Sequence, residues 1–447
     1  MWAMTMGAMT IGLIPSLWLT SCWAPSATAA ERPPAGTRAA EEQVAAKPLA
    51  EPITLELSAG DYRGENVIVE MALPPSMAGH DHFTLTQLDS GKRVPVQLDR
   101  HGAVPKLVWI VRDALPPNAR RRYRLAPLTA APDAAPDAAP DADRDADRVS
   151  VRDDGKRLWV RVGEKVVLGY NHATVASPDP EHPDYARSGY IHPLYNPSGD
   201  TITDDFNPDH AHQHGIMMAW RKMTFEGRQT NGWDQKSGLG KIEHAALESF
   251  GGGPVFGFIK VALRHTDLTA SEGPATVLNE TWYLRIYALE NAFQFDLTST
   301  QSCATKEPVS IDMIHYGGMT IRGSAEWHRH GDFDFLTREG KTKIDGNQTR
   351  PGWVDISGRL GAQTSGVLIM DHHRNFRFPQ PVRLHPTMPY FCFTPASLGA
   401  FTIEPGTPYV SRYRFYVHDG KLESSASDRL WNQYSHSPQV QVVSSMK

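Results

Sequence analysis

The chain has 447 residues and a net charge of −5, with 40% hydrophobic and 21% charged residues. That length allows two or three domains with cores of their own, and the mixed charge leaves no basic footprint for nucleic acid or for a membrane surface. The 36 Gly and 34 Pro favour a turn-rich, mostly β chain.

Residues 1–29 read as a leader: no Lys, Arg, Asp or Glu occurs before Cys22. Leu19-Thr20-Ser21-Cys22 resembles a bacterial lipobox, and Ala27-Thr28-Ala29 offers an alternative cleavage site. The expectation is an exported protein, periplasmic or held at the outer membrane. Its sole link to a membrane would be a lipid on Cys22. Residues 30–52, rich in Ala, Pro and Glu, read as a flexible tether.

Alternating strands at Ile53–Leu57, Val67–Met71 and Leu107–Val111 predict a small β-sandwich domain over 53–128. The Ala-Pro-Asp run of 129–148 has nothing to bury and reads as a linker. From Val149 to the C-terminus the β pattern persists, through Leu158–Val162, Phe256–Val261, Thr281–Tyr287, Phe293–Leu297 and Tyr409–Val417. The predicted fold is therefore mainly β, with a large two-sheet supersandwich following the small sandwich. Ser427–Tyr434 alone reads as helix. Cys303 and Cys392 could pair, although lone cysteines in so long a chain are more often small buried hydrophobes.

Chemical capacity concentrates in Asp209-His210-Ala211-His212-Gln213-His214-Gly215, just after Tyr190-Ile191-His192-Pro193. If this segment is extended, residues two apart share a face and the three imidazoles point together. Such a set could ligate a divalent metal, exchange protons with a bound ligand or satisfy backbone carbonyls. Asp209, His192 and His244 are the neighbouring acid–base or supporting candidates. Trp220 and Trp233, the latter followed by Asp234, suit the apolar face of a sugar while polar groups meet its hydroxyls. His315, Tyr316 and Arg322 flank a Gly-Gly turn, and Asp371 and Asn375 follow a strand end, where sites often lie. No nucleophile elbow and no phosphate-binding loop occurs.

Tyr190-Ile191-His192-Pro193-Leu194-Tyr195, then Asp209, His210, His212, Gly215 and Trp220, resemble a bacterial family labelled PmoA, or methane oxygenase PmoA, built on a domain of unknown function. The likeness continues through Gly240–His244, Asp371–Pro381 and Arg412–Gly420. It implies a β supersandwich akin to galactose mutarotase and a carbohydrate ligand. Ala211, Gln213 and His214 depart from the family's usual residues, so a three-His metal site is not carried over intact.

Three functions remain open on this reading. The first is a carbohydrate-active enzyme using His–carboxylate acid–base chemistry, of epimerase, lyase or hydrolase type. The second is a non-catalytic glycan-binding protein, and the third is the His-ligated redox metalloprotein that the label implies.

Overall fold

The computed structural model describes residues 50–60, 63–102, 104–129, 148–289 and 291–443. The expected leader with Cys22, the tether up to residue 49 and linker residues 130–147 lie outside the described residues.

The chain is mainly β, a small sandwich followed by a two-sheet supersandwich. In the small sandwich, a five-stranded sheet faces a sheet of Val67–Ala72, Lys106–Val111 and Val96–Asp99. Alternation sets the faces. Leu55, Leu57, Tyr123 and Leu125 point inward onto Val67, Val69 and Trp109, while Glu56 points outward to Arg120 and Arg122. The C-terminal strand Gln439–Val443 returns to pair antiparallel with Ile53–Ser58. An apolar cluster of Ile68, Val108, Ile110, Phe256, Tyr287 and Leu289 joins the two sandwiches.

The supersandwich packs two eight-stranded sheets. One holds the long strands Gly240–Gly251, Phe256–Asp267, Ala275–Tyr287, Phe293–Cys303 and Tyr409–Asp419. The other runs Val382–Leu384, Tyr390–Phe393, Gly318–Arg322, Ile216–Ala219, Tyr190–Leu194 and on through Lys165–Asn171 to Val149–Asp153. Phe391 and Phe393 of this second sheet meet Phe335 and Tyr413 across the core. By strand alternation Tyr390, Cys392, Thr320, Arg322, Met217, Tyr190 and His192 then share the opposite, outward face. That face carries the site.

Two short α-helices occur among the described residues. Ser424–Ser435 extends the expected helix by a few residues at its start, and Ala325–His330 is added, capped by the Ser324 side chain. Six residues are too few to leave a clear helical period in the sequence. Cys303 and Cys392 are both free thiols. Cys392 accepts hydrogen bonds from Gly317 N–H and the Tyr390 hydroxyl.

Candidate active site

The histidine-rich segment is a folded loop, not a strand. His210 N–H bonds to Asn207 O at 2.9 Å and Gln213 N–H to His210 O at 2.9 Å, so the backbone turns twice. Asp204 fixes the first bend, accepting Asp205 N–H at 2.9 Å and the Asn207 amide at 2.8 Å. An isolated bridge between Asp205 and His214 closes the loop. Gly215 follows at φ 21°, where a Cβ would lie 2.0 Å from Ile191 O; only glycine fits.

These turns break the expected alternation, and the three imidazoles part company. His214 is buried between Tyr190 and Phe206, and its Nδ1–H donates to Asp205 Oδ1 at 2.6 Å. The Tyr190 hydroxyl donates to the other oxygen of Asp205 at 2.7 Å. His210 and His212 stay together with ring centroids 5.5 Å apart, and neither makes a ring contact with His214. Among the described residues no three His, Cys, Asp or Glu side chains converge to hold a metal ion. The set His210, His212 and His214 therefore does not fit a metal: His214 is committed elsewhere.

His210 and His212 belong instead to a closed circuit of five rings. Centroid separations are 6.4 Å from His212 to Trp233, 5.9 Å from Trp233 to Tyr390, 6.2 Å from Tyr390 to His385 and 6.3 Å from His385 back to His210. Tyr185 lies 6.5 Å from His212, and Tyr316 lies 5.5 Å from Trp233. We call this ring cluster the basin.

Proton positions around it follow from fixed donors. His385 Nδ1 accepts the backbone N–H groups of Thr387 and Met388, at 3.3 and 3.2 Å, so the neutral ring carries its proton on Nε2. His328 Nδ1 accepts from Arg322 Nη2 at 2.8 Å, which turns its Nε2–H toward Asp209 Oδ2 at 3.3 Å. Arg322 also donates to Gln213 Oε1 at 3.1 Å. His210 Nδ1 is buried with no hydrogen-bond partner in the protein.

Burial pushes His212 down to about 3, helped by the neighbouring His210, His214 and Arg187. His385 is pushed down to about 4 by burial and by Arg383, His210 and Arg322. Burial followed by Arg322 lowers His210 and His328 as well. All four are neutral at pH 7, each with one ring nitrogen able to accept a proton or hydrogen bond and the other able to donate a hydrogen bond.

The other expected residues divide into neighbours and outsiders. Trp233 is buried, so it is a wall of the basin and not an open platform; Asp234 follows it in a turn fixed by Asn231, with Oδ1 buried and unpartnered. Tyr316 stands at the rim with exposed His315 edge-on to it, ring centroids 4.9 Å apart. Arg322 braces the loop, and His192 shares a hydrogen bond with Thr203 at 3.0 Å on the same face of the sheet.

Trp220 is a core residue, 1% exposed, donating to Gln301 between the sheets; the expected platform role does not hold. Trp327 and Trp353 are likewise fully buried. His244 pairs with Tyr170 at 3.1 Å, and Tyr170 packs on Trp282 of the facing sheet, so His244 borders the inter-sheet core. Neither a hydrogen bond nor a ring contact joins it to the basin. Asp371 and Asn375 are also separate. Asp371 accepts from Asn375 and from Gln380 N–H, both at 2.7 Å, pinning the loop between them, and burial pushes its carboxyl up to about 7.

Sequence reasoning missed His385, Tyr390, His328, Tyr185 and Arg187. A signal existed for the first two. His385-Pro386 repeats the His192-Pro193 dipeptide, and Tyr390 opens the strand that follows.

No curated protein matches this sequence. The chain is similar to several solved structures, among them a glycosyl hydrolase family 38 protein from Enterococcus faecalis (11% identity, TM-score 0.41) and an α-mannosidase from Enterococcus faecalis V583 (10% identity, TM-score 0.41). Each alignment covers 88% of this chain, and 47% and 46% of those chains respectively. The chain thus spans about half the length of either. A model for a family of unknown function (DUF6807) matches residues 157–432, which include every basin residue. The match bears out the expected domain of unknown function and gives no support to the oxygenase label. On this match the chain belongs to the DUF6807 family.

Proposed function

We propose that the basin binds a sugar and that the protein acts on it by acid–base chemistry, in an epimerisation, an elimination or a hydrolysis. The observation that carries this reading is the ring circuit, in which three neutral imidazoles stand against two aromatic rings. Neutral imidazoles both donate to and accept from hydroxyl groups, and a sugar presents several hydroxyls at that spacing. The half-buried rings of Tyr185 and Tyr316 at the rim, in place of Trp220 and Trp233, supply faces for its C–H groups.

In this reading His210 is the proton acceptor. It is neutral and sits beside the Nε2–H of His385 as donor. Asp209, His328 and Arg322 form a line of hydrogen-bonded and charged groups that fixes the opposite wall. Acid–base partners of this kind contribute about 10²–10⁴-fold each to rate.

The test incubates the chain with a panel of glycans in D₂O, following solvent deuterium at ring carbons by NMR and new reducing ends by a colour assay. Turnover that His210→Gln lowers at least about 10²-fold, with binding kept, supports the proposal. Binding without turnover on any glycan would reduce the protein to a lectin-like role. No binding at all would refute the sugar reading.

A further inference from the structure

Three arginines are buried among the described residues: Arg187, Arg322 and Arg414. Arg414 is held as buried arginines usually are. Its Nε and Nη2 grip both oxygens of Asp296, at 2.6 and 2.9 Å. The other two lack such a partner.

Arg187 makes one protein hydrogen bond, from Nη1 to Gly232 O at 3.3 Å, and its Nε and Nη2 are buried without partners. Those are the same two nitrogens with which Arg414 holds its carboxylate. The carboxylates whose charge reaches Arg187 are already engaged, Asp205 by Tyr190 and His214, and Glu280 by His265, Trp282, Ser299 and Gln301. Arg322 bonds only to neutral groups, Gln213, Met388 and His328, and its Nε is buried and unpartnered. Asp204 and Asp209 are the carboxylates whose charge reaches it; Asp204 Oδ2 stands 3.8 Å from Nε, beyond hydrogen-bond distance, and is tied to Asn207, while Asp209 faces His328.

Both guanidiniums border the basin. Arg187 bonds to the residue before Trp233, and Arg322 lies on the sheet face beside Tyr390 and braces His328. A buried cation without a hydrogen-bonded counter-ion is costly; Arg187 has none, and Arg322 has only the long 3.8 Å pair with Asp204. An anionic ligand would complete the arrangement.

We infer that the ligand of the basin is an acidic sugar, a uronate, whose carboxylate is neutralised by Arg187 and Arg322. The inference rests on the sugar reading above and narrows it. The two unpartnered nitrogens of Arg187 match the two oxygens of a carboxylate, as the same pair on Arg414 grips Asp296. A neutralised carboxylate also acidifies the C–H beside it. When a base takes that proton, the electron pair left behind spreads onto the carboxylate oxygens, and a proton returned to the other face gives the epimer. Uronate chemistry therefore favours epimerisation or elimination over hydrolysis.

The test titrates the full chain by calorimetry with galacturonate against galactose, glucuronate against glucose and mannuronate against mannose, with the uronate methyl esters and galactose 6-sulfate as controls. The inference expects at least one uronate to bind about tenfold or more tighter than both its neutral partner and its methyl ester, as for loss of one charge-assisted hydrogen-bond pair. Arg187→Lys and Arg322→Lys, which keep the charge and lose the fork, should erase most of that preference. The wild-type comparison stands even if a variant fails to fold. Equal binding of acid and neutral partners, tighter binding of the sulfate, or a preference untouched in both folded variants overturns the inference and leaves the sugar reading intact. No binding by any of these sugars overturns both.

Discussion

Asp205 is the residue on which the shape of the histidine loop most depends, and Asp205→Asn tests this without knowledge of the ligand. Its two oxygens accept separately, Oδ1 from His214 and Oδ2 from Tyr190, at 2.6 and 2.7 Å. Its side chain is only 11% exposed, so water cannot readily replace either bond. Asparagine keeps one acceptor and turns an NH₂ group on the other donor, leaving that donor unsatisfied. Hydrogen bonds to a charged group contribute about 1.5–3 kcal/mol each, and an orphaned buried donor costs about 1–3 kcal/mol, so the expected loss is about 2–4 kcal/mol. Tyr190→Phe removes one of the two bonds to the carboxylate and should cost about 1.5–3 kcal/mol. Urea unfolding followed by tryptophan fluorescence measures both. An Asp205→Asn loss within about 0.5 kcal/mol of zero, the range of ordinary surface changes, would refute the assignment of the loop to this carboxylate.

Three further outcomes are expected. His212→Phe keeps a ring against Trp233 and Tyr185 but removes its nitrogens, so stability should hold while sugar affinity falls about tenfold; unchanged affinity would remove His212 from the binding set. Trp220→Phe should cost about 1–3 kcal/mol by stranding Gln301 in the core, yet leave sugar binding alone, and a binding defect in a folded variant would restore Trp220 to the site. Burial holds His212 and His372 at about 3 and His244 and His385 at about 4, so all four are neutral when folded and titrate near 6.5 when unfolded. Unfolding thus takes up protons, and their contribution is present above pH 6.5 and lost as pH falls toward 4. Asp371, raised to about 7, acts in the opposite sense, losing its contribution as pH rises through 7. Urea midpoints should therefore fall from pH 7 to pH 5, and fall more steeply in Asp371→Asn; a midpoint that rises on acidification would contradict these assignments.

The fold was largely legible in the sequence because β alternation is a local signal. Leu55-Glu56-Leu57 shows its two faces directly, and so does the run of long strands from Phe256 to Val417. The site was legible only in part. His210 and His212 drew attention by crowding, but the extended geometry expected for them failed because Asp204, Asn207 and Asp205 capture the backbone in turns. Such captures depend on side chains meeting in space, and spacing along the chain does not encode them. His385 and Arg187 lie far from the loop in sequence, so their place beside it is a property of strand order, with Tyr390–Phe393 next to Gly318–Arg322 and that strand next to Ile216–Ala219. Trp220 and Trp233 look alike in sequence. What separates them is strand parity: Trp220 continues the inward face of Ile216 and Met218, whereas Trp233 lies in a turn against Tyr390 on the outward face.

The most direct test of the central claim is a crystal structure of the chain soaked with the tightest-binding sugar of the calorimetric panel. The account predicts that sugar within the circuit of His210, His212, Trp233, Tyr390 and His385, with an imidazole nitrogen within hydrogen-bond distance of a hydroxyl or ring C–H. A sugar seated elsewhere on the molecule, with the circuit unchanged, would contradict it.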